Sequence, residues 1–130
     1  MPKKEIPENA QSTSMLYSPV VKIGNHFHFS GIIPDLDKGT TMITKSFIDQ
    51  TNEVLNKMKK ALKDCGLSFN DIFHVTVLLS GSMENFPQMN ESYALAMNEV
   101  EIKPARKACA VAGLPFGALI EIEFEAVKQD

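Results

Sequence analysis

Hydrophobic and polar residues alternate along Val20-Val-Lys-Ile23 and again along His26-Phe-His-Phe-Ser30, with only Gly24-Asn25 between the two runs. A two-residue connection containing glycine between alternating runs predicts a β-hairpin. Residues 31–41 carry Pro34, Asp35, Asp37 and Gly39 and read as a loop. The period then changes. Phe47, Thr51, Val54, Leu55, Met58, Leu62 and Cys65 recur at three- and four-residue steps, which predicts a helix capped by Thr44 and closed by Gly66. Its other face holds Lys57, Lys60, Lys63 and Asp64 and is expected to face solvent. Asp71-Ile-Phe-His-Val-Thr-Val-Leu-Leu79 is rich in β-branched and aromatic residues and predicts a strand. Simple alternation puts Phe73, Val75, Val77 and Leu79 on one face of it and Ile72, His74, Thr76 and Leu78 on the other. A second helix is expected over Met83 to Asn98, with Pro87 in its first turn and Phe86, Met89, Tyr93 and Met97 as an inward stripe. Strands at Ala105–Ala112 and Leu119–Val127 end the chain, the last with Ile120, Ile122, Phe124 and Ala126 facing one way and Glu121, Glu123 and Glu125 the other.

The order ββ, helix, β, helix, ββ predicts an α+β domain over residues 17–130, behind a polar, proline-bearing N-terminal extension at 1–16. Two helices cover one sheet face. Because strand 71–79 is apolar on both sides, the uncovered face is expected to pack against further copies of the chain in a homo-oligomer with sites between subunits. The 130 residues, 44% hydrophobic and 22% charged, suffice for one core without staples. A net charge of −3 with no basic arm makes nucleic acid an unlikely partner. Cys65 and Cys109 lack metal or disulfide spacing, which argues for a reduced compartment. No segment reaches the length of a membrane span or of a signal h-region, so the expected location is the cytoplasm, with organellar targeting left open.

Candidate chemistry centres on Arg106, the single arginine beside twelve lysines. A guanidinium differs from an ammonium in its rigid fork, which grips a carboxylate with two parallel hydrogen bonds. Two readings stand: an anchor for a ligand carboxylate, or a structural pair with a glutamate of the next strand. Three carboxylates in a row on one strand face repel unless some meet water or a cation. At least one should therefore lie at an open end; Glu123 and Glu125 read as a solvent-facing edge, whereas Glu121 directly follows the turn Leu114-Pro-Phe-Gly117. His26 and His28 share a face, but no third ligand stands at metal spacing, so they read as a polar face. His74 reads as a satisfied buried histidine at a subunit contact. Cys109, three residues past Arg106, reads as core, with Lys107 at the rim.

Ser30-Gly31-x-x-Pro34, Gln50-Thr51, Asn90-Glu-Ser-Tyr93, Pro104-Ala-Arg106 and Leu114-Pro-x-Gly-Ala-Leu-Ile-Glu-Ile-Glu123 resemble the Rid/YjgF family of reactive-intermediate deaminases, also named the endoribonuclease L-PSP family. The resemblance runs from about Tyr17 to Val127. It implies a chorismate-mutase-like two-layer sandwich, mostly antiparallel, assembled as a homotrimer with three inter-subunit clefts. It also implies hydrolysis of enamines and imines such as 2-aminoacrylate to 2-keto acids and ammonia, as in a 2-iminobutanoate/2-iminopropanoate deaminase, without metal or cofactor. On matching positions, Arg106 grips the substrate carboxylate and Glu121 positions or activates water. Tyr17, Ser30, Gly31 and Asn90 line the cleft. The chain departs from the family where Met15-Leu-Tyr-Ser-Pro19 replaces Gly-Pro-Tyr-Ser-Gln, and where Ala108 replaces a frequent cysteine. A trimer that binds 2-keto acids without turnover is the alternative function, and ribonuclease activity a third.

Overall fold

The computed structural model describes residues 1–10 and 16–129. Lys4–Glu5 forms a short strand, β1, paired antiparallel with β2 (Val20–Ile23) through Lys4 opposite Ile23 and Glu5 opposite Lys22. Part of the segment ahead of Tyr17 therefore belongs to the sheet, and Ala10, in a 3-10 turn at Glu8–Ala10, packs against the core. Gly24, at φ +59°, turns β2 into β3 (His26–Ile32), as the hairpin signal predicts.

Helix α1 (Phe47–Asp64) buries Phe47, Val54, Leu55, Met58 and Leu62. Its cap is Ser46, not Thr44: the Ser46 hydroxyl accepts the Asp49 N–H at 3.2 Å. Thr44 is engaged elsewhere, its N–H at 3.0 Å from an Asp37 carboxylate oxygen and its hydroxyl on the same oxygen. At the far end Leu67 N–H reaches Leu62 O at 2.8 Å and Gly66 N–H reaches Lys63 O at 3.0 Å. This double closure needs a left-handed residue, and Gly66 sits at φ +73°. The solvent expectation holds for Lys60, which pairs with Asp64. It fails for Lys57, which reaches the 31–41 loop through Ile33 O and the Asp35 carboxylate, both at 2.8 Å.

Strand β4 (Ile72–Ser80), helix α2 (Phe86–Ala96) and strand β5 (Ala105–Val111) form a crossover unit, so β4 and β5 run parallel. Strand β6 (Ile120–Val127) does not pair with its sequence neighbour; it inserts between β3 and β4, antiparallel to both. The sheet order is β1-β2-β3-β6-β4-β5, with both helices on one face. This is the expected two-layer α+β sandwich. One alternation is corrected. Pairing shifts between Ile72, opposite Ala126, and His74, opposite Glu125. Phe73 is the extra residue of this bulge. Ile72 thereby joins Val75, Val77 and Leu79 in the core, while Phe73 is 41% exposed and meets the His26 ring edge-on at 5.3 Å.

Candidate active site

Arg106 stands on β5, an edge strand, opposite Val75 of β4. Val75 is fully buried under the helices, so the register turns Arg106 to the helix side. There its guanidinium carbon lies 4.8 Å from the centre of the Tyr93 ring and 5.7 Å from that of Phe86, both on α2. Asn90, half-buried, falls between them at helical spacing on the same stripe. Among the described residues the Arg106 side chain makes no hydrogen bond or ion pair. The structural pairing with a neighbouring glutamate is thereby overturned: β4 separates β5 from β6. The Tyr93 hydroxyl is buried and without a hydrogen-bond partner among the described residues, a state that costs about 1–3 kcal/mol. Burial pushes its ionisation up, and the charge of Arg106 pulls it part of the way back.

Glu121 faces the other side. It lies opposite Leu78, which on its far side lies opposite Cys109, and these residues share the open face. The Glu121 carboxyl is held above the usual carboxylate range, first by burial and then by repulsion from Glu123. Strand β3 bulges between Phe29 and Ile32, and the bulge brings Gly31 so close to Glu121 that a Cβ at position 31 would collide with the carboxylate. Ser30 donates its hydroxyl to Ser18 O at 2.6 Å and its N–H to Pro19 O at 2.9 Å. These bonds tie the segment carrying Tyr17, itself 63% exposed, to β3. Gln50, fully buried, secures the start of β6 by accepting the Leu119 N–H at 2.9 Å while donating to Lys45 O at 2.7 Å. Just before it, Phe116 and Gly117 both take left-handed backbone at φ 59° and 77°. That sharp reversal lets Glu121 be the first outward residue of the strand.

The expected site residues therefore fall into two halves. Ser30, Gly31 and Glu121 come together on the open face, with Tyr17 attached through the 18–19 segment. Arg106 and Asn90 come together on the helix side of the sheet edge. Within one chain the sheet lies between them. Phe86 and Tyr93, the aromatic ground under Arg106, went unassigned as site residues, although the stripe that carries them is plain in the spacing of α2. Ala108 lies opposite the buried Val77 on the Arg106 side. Met15 lies outside the described residues, and Leu16 is exposed.

The remaining candidates gather on the open face. His26 Nε2 is 3.0 Å from Glu125, His28 Nε2 is 3.3 Å from Glu123, and His74 Nδ1 is 3.7 Å from Glu125. His74 is thus half-exposed rather than buried within one chain. Cys109, expected in the core, shares this open face and is only partly buried, because β5 is an edge strand whose reverse side no helix covers. Among the described residues no group of three or more His, Cys, Asp or Glu is placed to hold a metal ion, and no helix is long and apolar enough to cross a membrane.

The chain has counterparts among known proteins in sequence and fold. A family model described as Endoribonuclease L-PSP matches residues 7–128. A RutC family protein of Pyrococcus horikoshii is 44% identical over 123 residues, 94% of either chain. The 2-iminobutanoate/2-iminopropanoate deaminase of Mus musculus is 30% identical over 112 residues, 86% of this chain and 81% of that one. A crystal structure of a conserved Rid family protein from Yersinia pestis superposes with a TM-score of 0.84 at 31% identity, covering 97% of this chain and all of the other. The chain belongs to the Rid/YjgF family, the family of the L-PSP model.

Proposed function

We propose that this chain is an enamine/imine deaminase that works as a homotrimer, with each cleft taking Arg106 and Asn90 from one copy and Tyr17, Ser30, Gly31 and Glu121 from the next. The observation that carries the reading is the Arg106 guanidinium, a half-buried cation that no described residue pairs, with its fork open to a carboxylate. The placement of Arg106 on an edge strand and of Glu121 on an uncovered face supports completion of the site by a second copy. The name of the murine relative, a 2-iminobutanoate/2-iminopropanoate deaminase, supports the activity.

In this reading Arg106 binds the carboxylate of a substrate such as 2-aminoacrylate. The methylene carbon of the enamine takes a proton, the amino nitrogen gives one up, and the imine forms. Water then adds to the imine carbon, and the adduct collapses to a 2-keto acid and ammonia. No bond to the protein forms and no electrons leave the substrate. Glu121, whose raised ionisation lets it hold a proton closer to neutrality than an ordinary glutamate, serves as the proton-transfer group.

The test follows decay of 2-aminoacrylate generated in situ by a dehydratase, alongside calorimetric titration with pyruvate and light scattering, which should read three times the 14.4 kDa chain mass. Arg106→Ala should weaken pyruvate binding by about 2–5 kcal/mol and slow turnover with it. Glu121→Gln should slow turnover by about 10²–10⁴ and leave binding within severalfold. A Glu121→Gln protein with wild-type rate removes the catalytic role. A wild-type protein that binds pyruvate without consuming the enamine is a carboxylate-binding trimer instead.

A further inference from the structure

We propose that Tyr93 and Phe86 are positioning residues: their rings hold the Arg106 guanidinium in one orientation on the sheet edge and leave its N–H donors free for the incoming carboxylate. The inference rests on the anchoring role given to Arg106 above. An arginine on an edge strand, with three rotatable carbons and no ion pair among the described residues, would ordinarily sample many rotamers, and binding would have to order it first. Here the cation lies over two ring faces, at 4.8 and 5.7 Å. Aromatic faces attract a cation through their quadrupole without accepting its N–H groups as a carboxylate would. The rings are themselves held. Met89 and Met97, on the same helix, are buried to 0% and 1% exposure and fix α2 against the core. Phe86 and Tyr93 pack against that core as well. The Tyr93 hydroxyl, without a hydrogen-bond partner among the described residues, takes no part in this placement, so the ring is the functional element and phenylalanine is an adequate substitute. A lysine at 106 would keep the attraction to the rings and lose the planar fork whose orientation they set.

Because the chain holds one arginine, its side-chain Nε–Hε group gives a single NMR signal, which reports directly on whether aromatic rings lie over it. In the wild-type protein that signal should be displaced by ring current. The displacement should persist in Tyr93→Phe and shrink in Tyr93→Leu and in Phe86→Leu. Calorimetry with pyruvate should show Tyr93→Leu binding about 3- to 30-fold more weakly, and Tyr93→Phe within about twofold. In an Arg106→Lys background, Tyr93→Leu should add little further loss, whereas a purely structural role would weaken both backgrounds alike. An undisplaced signal in the wild type, which needs no variant to fold, overturns the proposal. So does a Tyr93→Leu loss of equal size in the arginine and lysine backgrounds. A displaced signal in a wild-type protein that does not bind pyruvate supports the ring placement and removes the anchoring role.

Discussion

On the helix-covered side of the sheet, Phe29 stacks on Phe124 at 4.3 Å, and Ile120, Ile122 and Ala126 have no exposed surface at all. One residue along each strand, on the reverse side, His28 meets Glu123 and Glu125, and His26 meets Glu125. The backbone is the same and only the side-chain parity differs. The first set has no polar atom to place and fills space under α1. The second set has charges that the chain itself leaves partly wet. The difference teaches where each kind of information sits: stability is concentrated on even-numbered positions of β6, and the proposed chemistry on the odd-numbered Glu121.

Four changes test that division. Phe124→Ala should cost about 3–5 kcal/mol, the range for truncating a buried aromatic. Glu123→Ala, next door, should stay within about 1 kcal/mol because its partner His28 is half in solvent. Urea unfolding of both variants would break the comparison if the two losses were similar. Gly31→Ala pushes a methyl into the Glu121 carboxylate, the end of a flexible side chain that can swing away, so it should cost less than about 1 kcal/mol while lowering the deamination rate and leaving far-UV circular dichroism unchanged. Gly113→Ala has open space and no left-handed backbone, so it should leave both readouts unchanged.

The smallest effect is one of pH. Glu121 ionises at higher pH in the folded chain than in the unfolded one, so the fold holds its proton more tightly. That preference favours folding at acid pH and is lost as pH rises from the unfolded value, about 4.3, through the folded one. Glu121→Gln removes the cost of ionising this group. Its melting temperature should exceed that of the wild type at neutral pH, and the gap should close toward about pH 4. A gap that widens on acidification contradicts the sign.

Local signals were the readable ones. The Gly24-Asn25 hairpin, the α1 stripe with its Gly66 closure and the alternation of β6 all depend on residues close in sequence, and the structure has them as expected. Non-local pairing was not legible. Nothing in the chain says that β6 lies between β3 and β4, and without that neighbour the Phe73 bulge has no cause. The choice between Thr44 and Ser46 as cap turned on Asp37, seven residues before Thr44, claiming its hydroxyl. Parity within a strand tells which residues share a face, but not how two strands are phased against each other. That is why Arg106 and Glu121, plain as candidates, gave no sign in sequence that they stand on opposite sides. Cys109 was misplaced for a related reason: the side opposite Arg106 is the open one, not the core.

In the proposed enzyme one chain holds only half of each site. Arg106→Ala and Glu121→Gln, each expected to be strongly slowed by itself, can be unfolded together in equal amounts, refolded, and assayed for 2-aminoacrylate consumption. If Arg106 of one copy works with Glu121 of the next, random assembly makes about one cleft in four wholly wild-type, and roughly a quarter of wild-type activity returns. If the mixture assembles to the same mass as the wild type and stays as inactive as the separate variants, the two residues do not meet across a subunit boundary and the shared site is wrong.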